Sequence, residues 1–255
     1  MVLGLFSKKR SLERTINKAT NKLAQSPDRW AAMEKLRDDG SDEALYGLLQ
    51  RFSFTSLKLI EDQDEKEWVV QTLIAKGEVC LPALRRYMKN SVAIANPLRI
   101  LQDVVDRDRA MEAVDELLAS EEPGYTRDPT KRIQIISWLS EWTDTPGGQK
   151  GVTNDEVVAR VAPYLADFDG NVRFAAAEAI SLRPAPAAAE PLVAALLAPN
   201  EESKRLKVRI LEILADHQLD LGGHKKQIEP MLEELAPELR VQKDKLVRRI
   251  DPTKQ

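Results

Sequence analysis

The chain has 255 residues, of which 43% are hydrophobic and 31% charged, with a formal net charge of −3. That composition is ordinary for a folded chain with a sizeable core, and no run reaches the roughly 18 apolar residues that a membrane span needs. The single cysteine, Cys80, excludes an internal disulfide, so a reducing cytoplasm is the expected setting.

The charge is unevenly spread. Residues 1–25 carry about +5 and residues 240–255 about +4, which leaves about −12 on the body between them. An acidic body repels phosphate backbones, so nucleic acid is not an expected partner, and the basic tips are the natural contacts for an anionic surface. The start, MVLGLFSKKR, has its apolar residues ahead of its basic ones, the reverse of a secretory signal. Gly4 is not at the second position, so myristoylation is not suggested.

Helical periodicity runs through nearly the whole chain. Leu12, Ile16, Ala19 and Leu23 form one stripe over 11–25, opposite a basic face. Ser26-Pro27-Asp28 opens a helix that ends at Gly40, and Ser41 caps the next, which carries Leu45, Leu48 and Phe52. The acidic stretch 61–67 leads into a helix with Trp68 and Leu73 that stops at Gly77; acidic residues suit the positive end of a helix dipole. Further helices are expected over 79–88, 93–105, 107–119, 130–142, 154–166, 170–182, 187–198, 203–217 and 224–235, with a last basic helix over 238–250. Loops are expected at 121–129 and at the Gly-rich 143–153.

One pattern recurs: RWAAMEKL at 29–36 and RFAAAEAI at 173–180 share a register. Aligned with them are Arg99, Arg132 and Arg209, with Glu67 in the place of a missing arginine. The steps between these positions are roughly 38, 32, 33, 41 and 36 residues, the spacing of helix-pair repeats. The expected fold is therefore all-α, an α-solenoid of about six helical pairs. Its expected parts are a basic N-terminal segment and capping helix over 1–26, the repeat array over 27–237, and a basic C-terminal helix over 238–255.

The segment APYLADFDGNVRFAAAEAISL (162–182) resembles a HEAT repeat of the kind found in phycobilin-lyase-like bacterial proteins: Pro163 lies in the first helix, Asp167 and Asp169 in the turn, and Val172-Arg173 open an Ala-rich second helix. The resemblance implies a right-handed array in which the turn Asp and the second-helix Arg bond between neighbouring repeats. Asp167 or Asp169 and Arg173 take those roles, and Arg29, Arg99, Arg132 and Arg209 are their aligned equivalents. Pro191 and Val208-Arg209 match the pattern in part, and Glu67 departs from it. Such folds host many functions, so the motif speaks to architecture.

No catalytic constellation stands out, and neither a metal nor a cofactor is expected. His217 and His224 are the only histidines, too few for a usual metal set, and neither precedes a Glu as in the HEAT enzymes that bind iron. Cys80 lies beside Leu81-Pro82 with no base near it, which suits an inert buried thiol. Trp138 and Trp142 share a helix face near Asp144 and form the one cluster worth testing for chemistry, by resemblance to HEAT-like alkylpurine DNA glycosylases. Lys150 is followed by Gly151, so the 143–153 loop is not a phosphate loop. The function expected is a non-enzymatic adaptor or scaffold that holds a protein partner with basic or amphipathic elements on a concave face. The rival expectations are such a glycosylase or a chromophore lyase. Weak contact with an anionic surface is expected of Lys8, Lys9, Arg10, Arg248 and Arg249, aided by Val2, Leu3, Leu5 and Phe6.

Overall fold

The computed structural model describes residues 2–144 and 150–249, with side chains from Lys8 onward. The chain forms two compact units, residues 1–121 and 122–255. The division falls where the helical pattern lapses into Glu121, Glu122, Pro123 and Gly124, which cannot continue a helix.

The N-terminal unit holds α1 (Val2–Ala19), α2 (Ser26–Asp39), α3 (Asp42–Leu49), α4 (Leu59–Lys76), α5 (Leu81–Asn90), α6 (Ala95–Val104) and α7 (Arg107–Ser120). Helices α2, α4 and α6 pack side by side as one layer, while α1, α3, α5 and α7 form the other. Caps set the boundaries. Ser41 accepts from the Ala44 N–H at 3.4 Å, Asp106 accepts from Arg109 N at 3.0 Å, and Gly40 ends α2 in the left-handed region at φ 61°. Helix α1 stops at Ala19 rather than near 25, because the Asn21 side chain takes the Leu23 N–H at 3.0 Å in a competing turn. Within the second layer, α1 and α3 meet closely at Gly47 of α3, where a Cβ would lie 2.6 Å from Cγ1 of Ile16 on α1.

The C-terminal unit repeats the plan. Helices α8 (Thr130–Glu141), α10 (Gly170–Leu182) and α12 (Lys204–Asp216) form one layer. Against it lie α9 (Asn154–Val161), its 3-10 continuation Ala162–Ala166, and α11 (Ala189–Leu196), while α13 (Lys225–Leu235) packs on α12. Thr153 and Glu156 form a reciprocal capping box at α9. The fold class is all-α, built from stacked helical pairs, and the six aligned positions 29, 67, 99, 132, 173 and 209 fall on α2, α4, α6, α8, α10 and α12.

The expected basic helix over 238–250 is a correction of a second kind. Residues Leu239–Gln242 (β1) and Lys245–Arg248 (β2) pair as an antiparallel hairpin, with Leu239 opposite Arg248 and Gln242 opposite Lys245. The turn residues Lys243 and Asp244 both take positive φ, 49° and 57°, the conformation of a two-residue turn whose twist matches its strands. Asp tolerates that conformation better than Lys, and contacts from outside hold the turn: Asp244 accepts the Leu221 N–H on its carbonyl at 2.8 Å and the Gly223 N–H on Oδ2 at 2.7 Å. Leu239 and Leu246 turn inward.

Candidate ligand-binding site

Arginine–carboxylate pairs tie neighbouring helices within each layer. In the N-terminal unit, Arg29 of α2 reaches Glu65 of α4 through Nε and Nη2, each at 2.9 Å to one carboxylate oxygen. Arg51 meets the same carboxylate at 2.8 Å and Asp62 at 2.7 Å, and Ser26 donates to Glu65 at 2.7 Å. Arg51 and Glu65 are fully buried. Burial pushes the Glu65 carboxyl up, but hydrogen bonds from Arg29, Ser26 and Arg51 outweigh it and hold the group below the ordinary range. Arg99 of α6 pairs with Glu67 of α4 at 3.1 Å on the surface.

In the C-terminal unit, Arg132 of α8 donates to Asp167 at 2.8 Å in the interior. Arg173 gives its Nε to Glu201 at 2.7 Å and Nη1 to the carbonyls of Asp167 and Phe168. Arg209 pairs with Glu178 at 2.5 Å. Asp169 is an N-cap, accepting from Asn171 N at 2.8 Å and Val172 N at 3.3 Å. Arg51, Asp62, Glu65, Glu178 and Glu201 escaped the sequence reading. The acidic run 61–67 looked like solvated helix-dipole charge, and only packing reveals that Asp62 and Glu65 turn inward.

Trp138 and Trp142 are buried against each other, ring centroids 4.8 Å apart. Asp144 lies on the surface, where it accepts from Gly151 N at 2.9 Å and Lys150 at 3.0 Å. Arg183 braces the same region, donating to the Asn154 side chain at 2.8 Å and to the carbonyls of Ser140 and Trp142. The loop residues 145–149 lie outside the described residues. Cys80 is buried, and burial pushes its thiol up to about 11. Lys8, Lys9 and Arg10 are exposed on α1. Arg248 is paired with Asp216 at 2.9 Å, and Arg249 donates to the Leu239 carbonyl at 3.1 Å. The side chains of Val2, Leu3, Leu5 and Phe6 lie outside those described. Among the described residues no three His, Cys, Asp or Glu side chains gather as a metal site, and no helix is long and apolar enough to cross a membrane.

Two clefts flank α11 and share Ala194. The smaller, about 410 Å³, runs along Ala162–Ala166, and its charged groups are all paired, Arg173 with Glu201 and Asp167 with Arg132. The larger, about 510 Å³, lies between α11, the 219–224 segment and α13. That volume is in the range of ligand pockets. Its apolar wall is Val193, Leu197 and Leu221; its polar groups are Glu190, Asp220, His224 and Gln227.

Local chemistry explains how these residues converge. Gln218 ends α12 at φ 52°, and Gly222 and Gly223 take φ 59° and 79°, so the chain doubles back between α12 and α13. Asp220 accepts the Gly222 N–H at 2.7 Å. The doubled-back segment buries Leu221 and leaves His224 exposed at the start of α13. His224 Nδ1 and Gln227 Oε1 are 2.5 Å apart. The Gln227 carbonyl oxygen accepts in this contact and ties the imidazole to the first turn of α13. The lining holds two carboxylates and neither Lys nor Arg. It is built to receive hydrogen-bond donors. The sequence reading weighed His224 for metal binding alone; the one visible signal was Gly222-Gly223 set between an apolar residue and a histidine.

No protein-family model matches the chain, and no curated protein matches it. Among solved structures it is similar to human deoxyhypusine hydroxylase in complex with glycerol, at 15% identity and a TM-score of 0.32, covering 84% of this chain and 87% of that one. That structure is of an enzyme, and no observation on this chain supports the expected non-enzymatic adaptor or scaffold, so that expectation is withdrawn. The match is too distant to assign an activity in its place.

Proposed function

We propose that the C-terminal unit binds a small amphipathic amine in the cleft between α11 and α13. One observation carries this reading: an apolar wall of Val193, Leu197 and Leu221 faces Glu190, Asp220 and His224, with no lining cation to neutralise the two carboxylates. An ammonium or guanidinium head satisfies the acceptors through charge-assisted hydrogen bonds, and its aliphatic stem covers the wall. The acidic balance of the body favours approach of such a ligand at low salt. The HEAT-like reading of the stacked pairs belongs to the same proposal, supported by the Arg132–Asp167 bond between a second helix and the following turn.

The test is calorimetric titration with butylamine, hexylamine and butylguanidine, beside hexanoate and hexanol as controls. A short peptide carrying one exposed lysine separates a free amine from a side chain of a partner. Amines are expected to bind with affinity rising with chain length, and hexanoate to be rejected. Replacing Glu190→Gln together with Asp220→Asn is expected to weaken amine binding about tenfold or more. Equal binding of hexanoate, or a double variant that binds like the parent, overturns the proposal.

A further inference from the structure

We infer that the N-terminal unit carries a docking edge for anionic lipid bilayers, an inference independent of the amine cleft of the C-terminal unit. Four large aliphatic side chains stand in solvent there: Leu57 at 95% exposure, Leu23 and Ile60 at 79%, and Leu59 at 70%. They come from two separate segments, the turn after α1 and the entry to α4. The fold brings the two together, for Lys22, Leu23, Leu57 and Lys58 line one shallow hollow of about 190 Å³. Isolated exposed leucines are ordinary, but four gathered on one edge mark a contact surface.

The polar network beneath holds this edge in place. The Ser56 N–H donates to Asp62 Oδ1 at 2.7 Å, and the Ser56 hydroxyl donates to the Lys58 carbonyl at 3.2 Å. Arg51 joins Asp62 and also donates to the Phe54 carbonyl at 3.3 Å. On the other side, Ser26 and Arg29 fasten the 24–29 turn to Glu65, Arg29 also donating to the Ala24 carbonyl. Both segments are thus anchored to one buried ion cluster, and their leucines are presented by fixed backbone.

Charge selects the occupant. Arg10, Arg14 and Lys18 follow one another at intervals of four along α1, all exposed, and Lys22 continues toward Leu23. Asp28 neutralises Lys18 at 2.9 Å and Glu61 neutralises Lys58 at 2.9 Å. Arg10 and Arg14 then stand against Glu13, the one acidic residue of α1, with Lys8 and Lys9 exposed just before Arg10 and Lys22 exposed in the turn beyond the helix. A cationic row ending in a cluster of aliphatic side chains matches a surface of lipid phosphates over acyl chains. A soluble acidic partner would satisfy the row but leaves the four exposed aliphatic groups uncovered.

The experiment is co-sedimentation of the full chain with vesicles of phosphatidylcholine alone and of phosphatidylcholine with one quarter phosphatidylserine. Binding is expected on the anionic vesicles and is expected to fall as salt rises. Leu57→Ser with Ile60→Ser, and separately Arg14→Glu with Lys22→Glu, are each expected to lower the bound fraction about fivefold or more. All four positions are exposed, so an unchanged thermal melt certifies folding. Failure to pellet with anionic vesicles, equal pelleting on neutral ones, or binding unaffected by either pair overturns the inference.

Discussion

Nη1 of Arg132 on α8 lies 2.8 Å from Oδ2 of Asp167, a residue 35 positions later, and both side chains are buried. The same guanidinium nitrogen donates to the Gly124 carbonyl at 2.6 Å, and the Gly124 N–H donates to the same carboxylate at 3.3 Å. One ion pair therefore fixes both the approach of α8 toward the turn before α10 and the course of the 121–129 loop. The exposed rings of Tyr125 and Phe168 meet edge to face at 5.4 Å beside it.

Removing one partner of this pair leaves a buried charge uncompensated. Asp167→Ala is expected to destabilise the C-terminal unit by about 3–5 kcal/mol, while Arg132→Met with Asp167→Leu costs far less. Urea denaturation followed by circular dichroism measures both. A double variant as unstable as the single one would show that the loss lies in packing instead of in the stranded charge.

The N-terminal unit should fail in acid. Hydrogen bonds from Lys66, Ser56 and Arg51 outweigh the upward push of burial on Asp62, and both Asp62 and Glu65 sit below their ordinary values. For a carboxylate with a lowered native pKa, the stabilisation is complete above the unfolded value of about 4 and vanishes as pH falls through the native one. Denaturation midpoints are expected to hold steady from pH 7 to 5 and to drop below about pH 4. Glu65→Gln should lower the plateau and flatten that drop.

Gly47 admits α1 onto α3. Gly47→Val places atoms where Cγ1 of Ile16 already lies, 2.6 Å from the new Cβ. Overpacking of this kind costs about 1–3 kcal/mol. Trypsin is expected to cut faster among Arg10, Arg14 and Lys18 in this variant, read by mass spectrometry of the early fragments.

Cys80 should be inert in the folded protein. With its thiol buried and pushed up to about 11, alkylation by iodoacetamide at pH 8 is expected only in denaturant. Rapid labelling of the native chain would refute the buried placement.

How far the sequence carried depended on periodicity. The register of Arg29, Glu67, Arg99, Arg132, Arg173 and Arg209 is a local pattern, and it picks out one layer in each unit because apolar residues at helical spacing must face a neighbour. The hairpin escaped for an equally local reason. In LRVQKDKLVR the charges suit a helix as well as a strand, and the alternation of Leu239, Val241 and Leu246 spans too few residues to decide. Asp244, held by Leu221 and Gly223, settles the turn from a distance.

The sequence by itself determined the all-α class and the spacing of the pairs, since both follow from a stripe repeated every three or four residues. Only the tertiary structure decided the rest. The cleft unites Glu190 with His224, 34 residues on, and the aliphatic edge unites Leu23 with Leu57. Those neighbours are chosen by how helices stack and where turns close, and no local pattern encodes a contact that the chain makes only after it has folded back on itself.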